Sequence, residues 1–147
     1  MTRQKIKTCL WFDGNAGEAA EFYVSAFKDS GVTAVTPGPT GAALVVEFRL
    51  AGVEFIALNG GPQFRFNEAV SLSVDCQSQE EVDELWEKLS AGGSGGQCGW
   101  LKDRFGLSWQ VVPDVLPSLL ADPARGRRVM AALMGMTKLD IRALEAA

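Results

Sequence analysis

The first half of the chain combines short apolar runs with one helical stripe. The continuous apolar run at residues 6–12 has the length of a buried strand. Asn15 followed three residues later by Glu18 has the spacing of a capping box, which predicts the start of a helix. Gly31 is the predicted end of that helix. The apolar residues at amphipathic-helix spacing are Ala19, Phe22, Tyr23, Ala26 and Phe27.

Three more strands are predicted before the middle of the chain. A pair of them flanks Ala51 and Gly52, which is the length of a tight hairpin link. The Gly-Gly-Pro sequence at 60–62 then interrupts regular structure and begins a loop over 63–68. The predicted strands are 32–36, 44–50 and 53–59.

The same order of elements recurs in the second half. Residues 70–75 alternate between apolar and polar, as a half-buried strand does. Ser78 and Glu81 repeat the capping-box spacing before an apolar helical stripe. The segment 90–99 is rich in Gly and Ser and is predicted to be a mobile loop. The stripe consists of Val82, Leu85, Trp86 and Leu89, and the strands of the closing hairpin are 100–103 and 107–112.

The tail after Pro113 is amphipathic and helical in pattern. Asp122 followed by Pro123 predicts a helix start with proline in its first turn. Leaving this much apolar surface in water would be an aggregation liability, so it must be buried. We predict a homodimer in which the tail takes part, with packing inside its own chain as the alternative. The apolar tail residues are Val115, Leu116, Leu119, Leu120, Val129, Leu133 and Met136.

Length and charge exclude several classes of function. The 147 residues are enough for one domain, and the net charge is −4. Because nucleic-acid binding needs a concentrated positive face, and Arg127–Arg128 is the longest basic run, we expect no nucleic-acid partner. No apolar run approaches the ~20 residues of a membrane span, so we expect no membrane association. The N-terminus has no signal-peptide core, which predicts a cytoplasmic protein.

Histidine is absent from the sequence. Its absence removes the commonest zinc ligand, the commonest general base and every Ser–His or Cys–His pair. The three cysteines, Cys9, Cys76 and Cys98, have no disulfide-framework spacing and fit a reducing compartment. Without a histidine to activate it, Cys98 is disfavoured as a nucleophile.

Strand alternation predicts a small-molecule cleft. Ser71 and Ser73 share one face of their strand, and Ser108 and Gln110 share one face of theirs. We predict that Ser71, Ser73 and Gln110 face one concavity, together with Asn59 from the fourth strand. Small uncharged polar side chains suit a ligand cavity better than a solvent-facing sheet, where Lys and Glu would be expected. An ordinary solvent-facing or dimer-covered sheet is the alternative. The residues predicted to pack beneath helices are Val70, Leu72, Leu107 and Trp109.

Aromatic and amide side chains also lie near the predicted cleft. In the loop 63–68 they form either a ligand-contacting lid or an aromatic dimer contact, and both interpretations stay open. Trp100 either stacks on a ligand or, as is more usual for tryptophan, packs in the core. Glu68 is the nearby carboxylate and hence the candidate general base. The loop residues assigned to the site are Gln63, Phe64, Asn67 and Glu68.

Six segments of the sequence carry a resemblance to a known family: residues 10–15, 57–62, 97–103, 108–113, 127–130 and 138–141. They resemble the PhnB-like family of the vicinal-oxygen-chelate (glyoxalase/bleomycin-resistance/dioxygenase) superfamily, often labelled demethylubiquinone methyltransferase-like. The resemblance implies an α+β fold of two βαβββ modules whose curved sheets enclose a cleft, with helices outside. Module one would span about 5–60, module two about 68–113, and a helical extension 114–147.

The resemblance also implies where a metal would bind in this superfamily. Aligned on this chain, the ligand positions fall near Thr8, Asn59, Ala69 and Gln110, where the side chains are neutral. Neutral oxygens hold transition metals poorly, so we predict no metal and no cofactor. Gln63 stands where the family loop commonly carries His.

Three functions follow as hypotheses. The first is a metal-free protein that binds a small molecule in a cleft. The second is a metal-dependent lyase, isomerase or dioxygenase of the same superfamily. The third is an enzyme that acts on an acidic substrate and uses Glu68 or another carboxylate as its base. Methyl transfer is not supported, because no strand–GxGxxG–helix unit is present to hold a methyl donor. The predicted cleft residues are Thr8, Asn59, Gln63, Phe64, Asn67, Glu68, Ser71, Ser73, Trp100 and Gln110.

Overall fold

The computed structural model describes residues 3–147, which form two compact units that divide between Arg65 and Phe66. Each unit contains a four-stranded mixed sheet with a helix between its first two strands. The fold is therefore α+β with two βαβββ modules, as predicted. Among residues 3–147, no helix is both long and apolar enough to cross a membrane.

Unit one has the strand order β1-β4-β3-β2. β1 runs parallel to β4, and the remaining neighbours are antiparallel. The predicted hairpin is confirmed: its two link residues, Ala51 and Gly52, have φ values of 47° and 83°, the left-handed conformation of a tight hairpin turn. The elements are β1 (Thr8–Phe12), α1 (Ala16–Ala26), β2 (Gly31–Pro37), β3 (Ala43–Leu50) and β4 (Val53–Asn59).

The core of unit one lies between α1 and the sheet. Phe48 and Phe55 stack at a centroid distance of 5.4 Å on neighbouring strands. The predicted strand start was too early, because Ile6 is 85% exposed and β1 begins at Thr8. The helix also ends earlier than Gly31, at Ala26. The buried residues of α1 are Ala16, Ala19, Ala20 and Tyr23.

The N-terminus of α1 is capped from a distant strand. Asn15 precedes the helix, but its side chain makes no capping hydrogen bond, so the predicted capping box is wrong here. Instead, the Ala16 N–H donates to Asn59 Oδ1 at 2.9 Å. Asn59 Nδ2 donates in turn to the Ala43 carbonyl at 3.0 Å. The side-chain amide at the end of β4 therefore provides an acceptor for one of the free N–H groups at the start of α1 and links the helix to the sheet.

Unit two repeats this topology, with the strand order β5-β8-β7-β6 and β5 parallel to β8. The predicted cap at Ser78 is confirmed, since the Glu81 N–H donates to Ser78 Oγ at 3.2 Å, but the return bond of the box goes to the residue before Ser78. The Glu81 carboxylate accepts from the Gln77 N–H at 2.9 Å. The elements are β5 (Ser71–Cys76), α2 (Gln79–Ser90), β6 (Ser94–Gly95), β7 (Trp100–Lys102) and β8 (Ser108–Pro113).

The glycine-rich segment 90–99 is not all loop, because it contains β6, which pairs antiparallel with β7. A Cβ on Gly93 would lie 2.1 Å from the Lys102 carbonyl oxygen. A Cβ on Gly95 would lie 2.8 Å from the Trp86 ring. These glycines allow close packing of β6, which composition alone cannot distinguish from a flexible linker.

The tail forms three short helices and buries its own apolar residues within unit two. Asp122 is the predicted start of a helix, but α4 begins later, at Gly126. The Oδ1 atom of Asp122 instead closes a turn by accepting from the Ala124 and Arg125 N–H groups at 2.8 and 3.1 Å. The tail therefore packs within its own chain, which is the predicted alternative, and the homodimer stays a prediction. The helices are α3 (Leu116–Ala121), α4 (Gly126–Met134) and α5 (Ile141–Ala146). The tail cluster is Leu116, Leu119, Val129, Leu133, Leu139 and Leu144.

Hydrogen bonds and one ion pair join the tail to α2. Gln79 Nε2 donates to the Leu139 carbonyl at 3.0 Å, and the Ile141 N–H donates to Gln79 Oε1 at 2.8 Å. Lys138 Nζ lies 2.9 Å from Asp83 Oδ1. The side-chain amide of Gln79 thus binds the tail backbone just before α5 and at its first residue.

A candidate ligand cavity on the sheet of unit two

The register of unit two defines two chemically distinct faces. Ser71 pairs with Ser108 and Ser73 with Gln110 across the parallel strands, so these side chains share a face. The opposite face includes Trp109, which is 2% exposed, and α2 packs against β8. The predicted parity is confirmed for this unit.

One member of the predicted buried set is misplaced. Val70 is 61% exposed because β5 begins at Ser71, one residue later than predicted. Leu107 is buried as expected, and Leu72 is half-buried. The error is confined to the strand end, where alternation gives no information about burial.

A cavity of about 180 Å³ opens beside β6, β7 and β8. Two residues of the predicted site, Glu68 and Trp100, line it. Lys102 and Ser108 also line it, and sequence reasoning did not assign them to the site. The full lining is Glu68, Ser94, Gly95, Gly96, Trp100, Leu101, Lys102 and Ser108.

Ser108 is the most unusual of the residues that line the cavity. Ser108 is 1% exposed, and within residues 3–147 its Oγ is the buried side-chain polar atom that has no hydrogen-bond partner. Buried polar groups are nearly always paired, since an unpaired one costs free energy. Ser108 lines the cavity, so a bound molecule that reaches its buried hydroxyl would supply the missing hydrogen bond.

Glu68 and Lys102 form a direct ion pair at the cavity. Both side chains are partly exposed. The hydrogen bond from Lys102 lowers the pKa of Glu68 below its ordinary value, with smaller contributions from a backbone hydrogen bond and the ammonium charge. A carboxylate with a lowered pKa is a weaker proton acceptor, which argues against Glu68 as a general base.

Two further predicted residues on the same face contact each other. Gln110 Nε2 donates to Ser71 Oγ at 3.0 Å. Ser73 is exposed on the same strand face. These residues share the face of the cavity but do not line it.

The remaining predicted site residues have local roles. Thr8 is exposed at the start of β1, and Asn59 makes the two bonds to backbone described above. Phe64 is 65% exposed and contacts the Trp11 ring edge-to-face at 4.9 Å. Gln63 is exposed, and Asn67 Oδ1 accepts from the Ala69 N–H at 2.9 Å. None of these residues lines the unit-two cavity.

The side chains present do not fit a transition-metal site. In residues 3–147 no group of three or more His, Cys, Asp and Glu side chains could hold a metal ion. The amides of Asn59 and Gln110 are engaged in hydrogen bonds. The buried Cys76 thiol is unsuitable as well, because burial, helped by the Glu81 carboxylate, raises its pKa to about 12.

The repeated βαβββ topology defines a protein of the vicinal-oxygen-chelate class. A family model described as 3-demethylubiquinone-9 3-methyltransferase matches residues 4–112, and the chain belongs to this PhnB-like family. The tail lies outside the matched range. Comparison with curated proteins found no match.

Solved structures agree with this assignment. A putative 3-demethylubiquinone-9 3-methyltransferase, PhnB protein, from Bacillus cereus is 33% identical with a TM-score of 0.70, covering 75% of this chain and 99% of that one. Protein PA1353 from Pseudomonas aeruginosa is 21% identical with a TM-score of 0.64, covering 76% and 98%. The fosfomycin resistance protein FosX from Listeria monocytogenes, complexed with Mn(II) and sulfate, is 20% identical with a TM-score of 0.50, covering 74% and 90%. The last two similarities are evidence for the fold alone.

Proposed function

We propose that this chain binds a small molecule in the unit-two cavity without a metal ion. The observation that carries the proposal is that Ser108, whose hydroxyl is buried and unpaired, lines the cavity. Trp100 supplies an aromatic surface beside it, and the Glu68–Lys102 pair supplies charge. An apolar surface with a few convergent polar groups is the usual composition of a ligand site.

Neither alternative chemistry has support from the residues present. A metal-dependent lyase, isomerase or dioxygenase needs several metal ligands, whereas Thr8, Asn59, Ala69 and Gln110 offer at most neutral oxygens. Methyl transfer, named by the family description, needs a site for a methyl donor. The turns between strand and helix, at 13–15 and 77–78, lack the glycine motif that would hold one.

Substitution of Ser108 separates a binding role from a structural one. Ser108→Ala removes an unpaired buried hydroxyl, so we expect a higher melting temperature together with weaker binding of fragments selected against the wild-type chain. Thermal shift and tryptophan fluorescence measure both effects. Ser118→Ala, on an exposed position of α3, is the matched control and should change neither. Unchanged fragment binding in Ser108→Ala would contradict the proposed site.

Elemental analysis tests the metal-free part of the proposal. Protein incubated with Mn(II), Ni(II) or Zn(II) and then desalted should retain far less than one ion per chain. Retention of about one ion per chain, with a loss of thermal stability on chelation, would favour the metal-dependent alternative.

A further inference from the structure

The charged groups in the cavity lining are one carboxylate and one ammonium, and they are paired with each other. Both side chains are partly exposed, and exposed ion pairs contribute little to stability. A ligand can therefore separate Glu68 from Lys102 if it supplies a replacement partner for each of them.

We propose that the cavity's ligand is a compact zwitterion, with one carboxylate and one ammonium group, of amino-acid size. This inference rests on the proposed function and names its ligand class. A ligand with a single charge gains one ion contact while leaving the other protein charge without its partner. A zwitterion forms both contacts at once, so the loss of the Glu68–Lys102 pair is offset.

The pairing of β7 with β8 places a second donor beside Lys102 for the carboxylate of the ligand. Lys102 and Ser108 are directly paired across the two antiparallel strands, so their side chains emerge next to each other on one face. An ammonium and a hydroxyl at this spacing offer two donors to one carboxylate. The Ser108 Oγ thereby gains the hydrogen bond that it does not have within the protein.

Glu68 and Trp100 line the same cavity and suit the ligand's ammonium group. Glu68 is a full carboxylate at neutral pH, since its pKa lies below the ordinary value. The face of a tryptophan ring attracts cations, which suits an ammonium group. The volume of about 180 Å³ holds about six water molecules, and it is below the ~300 Å³ at which pockets for drug-sized ligands begin.

Calorimetric titration with small probes that differ in charge tests whether the ligand is a zwitterion. The zwitterions are glycine, β-alanine and γ-aminobutyrate, and the singly charged counterparts are butyrate and butylammonium. We expect at least one zwitterion to bind at least tenfold more tightly than both counterparts. Comparable or tighter binding of butyrate or butylammonium would overturn the zwitterion class while leaving the proposed function intact. If no charged probe binds but neutral fragments do, the class is likewise overturned, and if nothing binds, the proposed function falls as well.

Charge variants test whether Glu68 and Lys102 cause the discrimination. Lys102→Met and Glu68→Gln should each reduce the preference for the zwitterion at least tenfold. Both positions are exposed, so the variants should stay folded, which circular dichroism checks. Lys88→Met is the matched control, because Lys88 forms an exposed pair with Glu84 on α2 at 2.7 Å, away from the cavity lining. An unchanged preference in both cavity variants would overturn the inference.

Discussion

The indole Nε1–H of Trp109 donates a hydrogen bond of 2.9 Å to Oδ2 of Asp103, and both residues are almost fully buried. The other carboxylate oxygen of Asp103 accepts from the backbone N–H groups of Phe105 and Leu107 at 2.8 and 3.1 Å. One carboxylate therefore closes the turn between β7 and β8 and fixes the tryptophan of the β8 core face. These two strands also carry the Lys102 and Ser108 side chains of the cavity.

Replacing Asp103 by asparagine should destabilise the protein by about 2–3 kcal/mol. The variant keeps the shape of the side chain but puts an amide donor against at least one of the N–H groups that Asp103 accepts from. Urea denaturation measures the effect, with the exposed Asp114→Asn as control. A change below about 0.5 kcal/mol would show that the carboxylate is dispensable.

The two helix starts should respond differently to loss of their capping residues. Ser78→Ala removes the acceptor for the Glu81 N–H, and we expect a loss of about 1 kcal/mol in the free energy of unfolding. Asn15→Ala should cost clearly less, because the Asn15 side chain makes no capping bond. Equal losses in the two variants would contradict the capping arrangement described for α1.

The attachment of the tail to α2 should weaken only at acidic pH. The hydrogen bond from Gln79, followed by that from Lys138, lowers the pKa of Asp83. Such a carboxyl contributes stability that is present above its unfolded pKa of about 3.9 and is lost as the pH falls through the lower folded value. Hydrogen exchange of tail amides, followed against pH, should show this loss, and Asp83→Asn should remove that dependence. Protection that already falls near neutral pH would be inconsistent with it.

The homodimer predicted from the sequence can be tested without removing the tail. Light scattering at micromolar concentration should give twice the chain mass of 15.8 kDa, and the monomer mass would refute the prediction. The exposed side chains of Met130 and Met134 lie one turn apart on α4. If the tail takes part, Met130→Lys with Met134→Lys should produce a monomer. A dimer that persists would locate the interface elsewhere.

Local patterns predicted the elements well, and long-range contacts explain most of what they missed. The hairpin at Ala51 and the cap at Ser78 depend on residues close in sequence, and both are confirmed. The cap of α1 failed because Asn59, far along the chain, replaced Asn15. A hydrogen bond from a residue so distant in sequence leaves no periodic pattern from which it could be predicted.

The cavity was only partly predictable for the same reason. Alternation placed Ser108 on the same face as Gln110, but neither its burial nor its lack of a partner follows from alternation. Lys102 had no assigned site role, because its pairing with Glu68 joins β7 to the chain before β5. The candidate role of Glu68 as a base changed once its cationic partner was known.

The close packing of the glycine-rich segment has a practical consequence for engineering. By composition, 90–99 would be chosen as a surface linker for inserting a tag, a fluorescent domain or new chain termini. Gly93 lies against the backbone of β7, and a Cβ on Gly99 would lie 3.0 Å from the Leu139 side chain of the tail cluster. Inserting a domain there would separate β6 from the sheet and disturb the cavity wall at Gly95 and Gly96. The turn at Ala51–Gly52 is the better place for a fusion, since both residues are exposed and neither lines the cavity.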